Sequence, residues 1–550
     1  MKDLKIFKDY FDEYLSLHPL TASFCGIKKY DDKFPNYLDK KIEDKLKKFY
    51  KKYIKKINEI NKSKINDRNA HFLKVLKWRM EDNLEGFNYK FDLLPLDQLD
   101  NFILDYVDYA TGESYVELKT LLDFKNFLKR TQEFFIYCDT AIIKMEEGLK
   151  QKISHPKSIM KEVLKQLNDL LKTKDYVLPD KKIPKNIKEE YKEIMDEQFT
   201  EMVKKIRDFI KYKYIPNTHD GFGLSSIPGG KKMYKYLAKS HTTVDMDIKD
   251  IHNLGLKEIK RINKAIKELF ENGNNSVNNS KKLLVPTNKN TKKFSYKNKE
   301  EVIKAYKEAS KIIYRKIIPK YFDIRISHNY ELKKVPEFKQ EGNTGAYYMM
   351  GSMDGNRRGA FFLNTKNLDD FQTFNTFSLT MHEGNPGHHF QLTCANDNKI
   401  PDFITYTDDE TSYVEGWALY AESLTHDYFK NSTKSQDIYS RYGCYNFELF
   451  RAVRLVVDTG INYYGWSFKK SFDFMKKYTV FSDYDIKSEI NRYSVYSGQA
   501  LSYKIGQIKF TEFRERYLKK YKNKDIKNYH REVLEYGSCP LSILEDKLNI

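Results

Sequence analysis

The sequence predicts a mainly α protein, a large helical body with one small β segment. Three observations predict it. Apolar residues recur at three- and four-residue spacing among charges along most of the 550 residues. Breakers such as Pro35, Pro156, Pro179, Pro184 and Pro216 fall between these runs. Only between residues 322 and 365 does the pattern change to short apolar or alternating runs.

In order, Lys41–Ile60, Asn69–Glu85, Glu117–Leu149, Lys157–Thr173 and Asn186–Tyr214 read as amphipathic helices, and Met246–Glu271 and Lys299–Tyr321 continue the pattern. Between the last two lies an Asn/Lys-rich stretch, residues 272–298, which reads as an exposed loop. Residues 322–365 carry ELKKVPEF, GAYYMM and GAFFLN, separated by Gly and Asn, and read as a few strands. Asp354-Gly355-Asn356-Arg357-Arg358 is a turn signal between two of them. GAFFLN is a candidate edge to which an extended peptide would add. Helices return from Asp369 and run to the end, with breaks expected at Gly460, Gly465 and Gly498.

Composition excludes several classes. With 40% hydrophobic and 32% charged residues the chain is neither disordered nor collagen-like. Its mean hydropathy is −0.71, and no run of about 20 apolar residues could span a bilayer, so no membrane partner is expected. The start, MKDLKIFKDYFDEYLSLHPL, does not read as a secretory signal. Cys25, Cys138, Cys394, Cys444 and Cys539 are scattered without a CxxC pair, so a disulfide framework is not expected and a cytoplasmic setting is. The net charge of +20, from 97 Lys+Arg against 77 Asp+Glu, raises nucleic-acid binding as one reading. The lysines mix with acids instead of forming a patch, so the charge reads as surface composition with no nucleic-acid partner.

Three of the 12 histidines fall in TMHEGNPGHHFQ: His382, His388 and His389, with Glu383 directly after the first. Two imidazoles can hold a zinc ion, and a neighbouring Glu can take a proton from water at the metal. On a regular helix the second ligand comes four residues on. Here the histidines come at plus six and plus seven, with Pro386 between. Plus seven returns to the same face but about 10.5 Å along the axis, so Pro386 and Gly387 must distort the helix. Facing favours His389, and the distortion keeps His388 open. The third ligand is expected downstream in SYVEGWALYAESL, at Glu415. Glu422, seven residues on, falls on the same face, where it could orient a ligand imidazole.

These residues carry a resemblance. MHEGNPGHHFQ resembles the HExxPGHHxQ signature of the bacterial "domain of unknown function 885" family, described as zinc metallopeptidases. GLSSIPGGKKMYKYLAKSHTT, AYYMMGSMDGNRRGAFFLNT, VEGWALYAESL, FRAVRLVVDTGINYYGWS and VLEYGSCPLSILE resemble further family segments in order, so the likeness covers nearly the whole chain. It implies one helical, zincin-like metallopeptidase domain over residues 1–550, similar to carboxypeptidase Taq and angiotensin-converting enzyme. It implies Zn2+ held by His382, Glu415 and one of the paired histidines, with Glu383 as base, and it implies Tyr503 as oxyanion donor, with Tyr496 as runner-up. The family pattern has DTGIH where this chain has Asn462, and Pro-Gly-Gln-Ala where it has Ser497-Gly498-Gln499-Ala500.

Arg451, Arg454 and Arg492 are candidates for binding a substrate carboxylate. The expected function is a zinc-dependent metallopeptidase acting on short peptides in a carboxypeptidase- or dipeptidase-like way. A metal-dependent hydrolase of non-peptide amides is the alternative within the same chemistry, and a basic nucleic-acid-binding protein the alternative of another class.

Overall fold

The computed structural model of the chain describes residues 4–61, 65–112, 114–276, 283–335, 345–351, 358–368, 371–407 and 409–550. The chain divides into two compact units, Met1–Met233 and Tyr234–Ile550. The protein is mainly helical, as the periodicity predicts, and the strands among the described residues form one three-stranded sheet in the second unit. Among the described residues no helix is long and apolar enough to cross a membrane.

In the first unit the longest helix is α1 (Leu121–Gln151). It starts at Leu121 because Thr120 and Asp123 form a capping box, each side chain accepting from the other's amide. Periodicity alone would begin it at Glu117. It buries Phe124, Phe127, Leu128 and Phe134 at three- and four-residue spacing. Phe134 lies flat on Tyr106, with ring centroids 4.0 Å apart. α2 (Lys157–Thr173) turns Met160, Val163, Leu167 and Leu170 inward by the same rule.

The second unit holds the candidate site. Its helices include α3 (Ile248–Ser276), α4 (Thr376–Glu383), α5 (His388–Asp397), α6 (Thr411–Tyr428), α7 (Ser435–Asn462), α8 (Asp483–Val495) and α9 (Leu501–Lys520), with further helices between. α3 lies along α7, and α6 along α9. Glycine sets how closely the second pair approaches: a Cβ on Gly416 would stand 2.4 Å from the Gly506 Cα. The two backbones touch there, and no larger residue fits. Where α3, α7 and α9 meet, buried charges are matched. Lys504 Nζ donates to Glu448 at 2.6 Å and Gln507 at 2.7 Å, and lies 2.9 Å from Glu258. Arg261 pairs with both carboxylates. Burial of such charges is tolerable only with partners in place.

The sheet consists of β1 (Glu331–Lys334), β2 (Ala346–Met349) and β3 (Ala360–Leu363) in the order β1-β3-β2. β1 runs parallel to β3 with Glu331 opposite Ala360, and β2 antiparallel with Ala346 opposite Leu363.

Several local expectations change. GAFFLN is the central strand and not an edge, because β1 pairs with it on one side and β2 on the other, while Phe361 and Leu363 pack with Val302, Tyr306 and Phe371. Gly460 does not break a helix. α7 runs through it, and the Trp466 ring occupies the space a side chain would take, 2.6 Å from where a Cβ would be. Gly465 and Gly498 do turn the chain, with φ of +70° and +84°. The stretch 272–298 is only partly loop: α3 continues to Ser276, and Phe294 packs edge-on against Phe374 at 5.4 Å. Helix returns at Thr376, after a bridge between Ser295 and Gln372. Asp354 to Arg357 lie outside the described residues.

Candidate metal centre

α4 ends on His382 and Glu383, and α5 begins on His388. The residues between them, Gly384 to Gly387, break the helix. A Cβ on Gly387 would stand 1.9 Å from the His382 carbonyl oxygen, so only glycine lets the chain fold back there. Gly384 lies against the Tyr330 ring, and Trp417 Nε1 donates to the Pro386 carbonyl at 2.8 Å, tying the break to α6.

With the helix broken, the facing rule that favours His389 no longer applies. His388 turns to His382, their rings 4.8 Å apart and perpendicular. His389 is fully buried away from the cluster. Its Nδ1 lies 3.0 Å from the Tyr348 hydroxyl and its Nε2 3.1 Å from the His328 carbonyl oxygen.

α6 supplies the third member. Ligand atoms of His382, His388 and Glu415 all lie within 4.8 Å of one another. Glu415 Oε2 is 3.5 Å from each histidine Nε2. This oxygen is buried without a hydrogen-bond partner, a costly arrangement for a carboxylate unless something fills the gap between the three atoms. Two imidazole nitrogens and one carboxylate oxygen are the donor set of a zinc site with an open position. The Glu415 and His388 side chains keep 19% and 13% of their surface exposed, so one side faces solvent. The residues present therefore fit a zinc ion.

Around this set the chain fixes orientation and charge. Glu422 is fully buried. It accepts from His382 Nδ1 at 2.7 Å and from the Ser378 hydroxyl at 2.5 Å. Holding Nδ1–H on Glu422 turns Nε2 towards the gap. Burial alone would lower the His382 pKa. The Glu415 and Glu422 carboxylates outweigh it and hold His382 at about 9. The same histidines hold Glu415 well below the usual carboxylate range despite its burial. Glu383 is pushed up by burial, against the pull of His382, His388 and the main-chain amide of Tyr348.

Tyr503, on α9, donates to Glu415 Oε1 at 2.9 Å. The Gly416–Gly506 contact makes this possible, because those glycines neighbour the pair on the two helices. Gln499 Nε2 and Arg492 Nη2 approach the same hydroxyl at 3.4 and 3.5 Å. Arg454 stacks 4.5 Å over the Tyr503 ring, and Arg451 lies 5.7 Å from it. Tyr496 is not brought into the cluster; it sits 40% exposed, edge-on to His241. Sequence reasoning missed Ser378, Gln499 and Tyr348. Ser378 stands four residues before His382 on the same face of α4, a signal that was available, whereas Gln499 lies in the turn before α9. Tyr348 arrives from β2 and left no local sign.

Residues 19–548 match the family "Bacterial protein of unknown function (DUF885)". The chain belongs to the DUF885 family. The DUF885 fold here is similar to solved structures of two other proteins. "The putative lipoprotein from Colwellia psychrerythraea" has a TM-score of 0.85 at 21% identity, covering 99% of this chain and 97% of that one. "A putative lipoprotein of unknown function from Shewanella oneidensis" has a TM-score of 0.76 at 15% identity, covering 99% of each. At these identities the likeness shows the fold. No curated protein matches this DUF885 chain.

Proposed function

We propose that this protein is a zinc-dependent metallopeptidase acting on short peptides. One observation carries the reading. The unpartnered Glu415 Oε2 faces the Nε2 atoms of His382 and His388, with the buried carboxyl of Glu383 directly beside His382 in the chain. Bound by His382, His388 and Glu415, a zinc ion supplies Lewis-acid polarisation of a carbonyl and lowers the pKa of water.

The chain's own residues do the rest. Glu383 takes a proton from the attacking water and returns it to the leaving amine nitrogen as the C–N bond breaks. Its buried, raised carboxyl suits both roles better than an exposed one would. Tyr503 can turn its hydroxyl from Glu415 to the developing oxyanion, a donor worth about 2.7–4 kcal/mol in comparable sites. Glu422 and Ser378 keep the His382 ring from rotating.

The test is a peptide-library digest read by mass spectrometry, with and without chelator, alongside zinc content. Glu383→Gln should keep stoichiometric zinc and lose at least about 100-fold in turnover. Protein that holds no zinc, or undiminished hydrolysis by Glu383→Gln, would sink the reading.

A further inference from the structure

The three arginines near the cluster are not equivalent. Arg451 is buried with its Nε and Nη1 unpartnered, and its Nη2 is 4.0 Å from Glu422 Oε1. It stands behind the carboxylate that orients His382. Arg454 is buried too. It donates to Glu489 at 2.9 Å and to the Tyr493 hydroxyl at 3.2 Å, with its Nη1 unpartnered.

Arg492, on α8, differs. Its side chain keeps 22% exposure, and its Nη1 is 3.8 Å from Glu489, beyond hydrogen-bond distance. Glu489 spends its close contacts on Arg454 and on the Tyr493 hydroxyl, at 2.9 and 2.6 Å. Arg492 Nη2 is steadied by Gln499 Oε1 at 2.8 Å and reaches the hydroxyl that Tyr503 offers to Glu415. Around Tyr503, the three guanidiniums stand with the carboxylates of Glu415, Glu422 and Glu489. Of the three, Arg492 keeps the most exposure, 22% against 9% for Arg451 and 5% for Arg454.

We infer that Arg492 anchors the free α-carboxylate of a peptide substrate, so that the site trims C-termini and does not cut chains internally. The inference rests on the peptidase reading and names its substrate class. A planar guanidinium fork matches a carboxylate in a bidentate pair. Arg492 Nη2 stands two hydrogen-bond lengths from Glu415 Oε1, by way of the Tyr503 hydroxyl. An extended residue spans about 3.3–3.6 Å. A carboxylate held on Arg492 therefore brings the carbonyl one or two residues back to the cluster, and the product is an amino acid or a dipeptide.

The test uses the zinc-loaded full chain and two matched probes, penta-alanine and penta-alanine amide. The free acid should be cleaved with a kcat/KM about 30-fold above that of the amide, releasing alanine or dialanine. Arg492→Gln should raise KM for the acid by about 30-fold and bring the two probes together, with kcat much less changed. Arg492→Lys should recover part of the loss. A second readout needs no turnover: calorimetric titration of Glu383→Gln protein with tri-alanine and its amide should favour the acid, and adding Arg492→Gln should abolish that preference. Thermal melts establish that the variants fold. Equal cleavage of both probes, or an acid preference that survives Arg492→Gln, overturns the anchor and leaves the peptidase reading standing. An acid preference in calorimetry that depends on Arg492, without any cleavage, supports the anchor and counts against the peptidase. Neither cleavage nor preference overturns both.

Discussion

Ser497 donates its hydroxyl to Asn462 Oδ1 at 3.0 Å. The two positions that the family resemblance singles out, Asn462 and Ser497, are thus one contact. Both are buried, at 1% and 0% exposure. Asn462 gives its amide to the carbonyl oxygens of Asp458 and Tyr493, at 3.2 and 2.8 Å. Its Oδ1 takes the Ser497 hydroxyl, a bond that a residue without a side-chain hydroxyl at 497 could not make.

Coupling between these residues is measurable. Ser497→Ala should cost about 0.5–1.5 kcal/mol, because it removes a buried hydrogen bond to Asn462 Oδ1. In the background of Asn462→Ala the same change should cost about 1 kcal/mol less. Urea unfolding of the four proteins in this cycle gives the coupling. Additive costs would mean the contact contributes nothing.

The paired histidines should separate cleanly by metal content. His388→Ala removes one of the three converging ligand atoms and should leave the protein without stoichiometric zinc after dialysis. His389→Ala should keep its zinc. Its cost falls on stability, on the order of 2 kcal/mol, since the imidazole is fully buried between the Tyr348 hydroxyl and the His328 carbonyl. Elemental analysis and thermal melts distinguish the two, and zinc loss in His389→Ala alone would reverse the assignment.

What could be read from the sequence was what a single helix encodes. His382 and Glu383 follow an apolar helical run, and Glu415 and Glu422 stand seven apart on one face of α6, so local periodicity places all four. The choice between His388 and His389 is not local. It depends on the Gly387 backbone meeting the His382 carbonyl and on Trp417 reaching across from another helix. GAFFLN reads equally as edge or centre, because strand order is set by partners elsewhere in the chain. Gly460 looks like a breaker until Trp466 is known to fill its missing side chain. Each failure marks a place where tertiary contact outweighs local preference.

Glu422 should tune the metal without touching it. Glu422→Gln can still accept from His382 Nδ1 but brings no charge, so zinc affinity should fall about 10–100-fold. The expected readout is a competition titration against a chelating dye. Chelation should also lower the melting temperature of the unaltered protein, since Glu415 Oε2 is then left buried and unpartnered. An affinity within twofold of the unaltered protein would mean that Glu422 serves packing alone.

Asp458 offers a pH signature independent of the metal. It is fully buried on α7, accepting from the Tyr234 hydroxyl at 2.5 Å and from the Gly498 amide at 3.1 Å. Burial pushes its carboxyl up to about 7, against the pull of those donors and of Arg454. A raised carboxyl binds a proton in the folded state that the unfolded chain has already lost. Its contribution to stability is thus full below its ordinary value near 3.8 and disappears as pH rises through about 7. Asp458→Asn cannot titrate, so its stability lacks this slope. The unfolding free energy of the unaltered protein minus that of Asp458→Asn should therefore fall by a few kcal/mol, on the order of 2–4, between pH 4 and pH 8. Other carboxylates titrate in both proteins and cancel in the difference. Parallel stability curves would mean that Asp458 is ionised throughout, with the Tyr234 hydroxyl and the Gly498 amide compensating its burial in full.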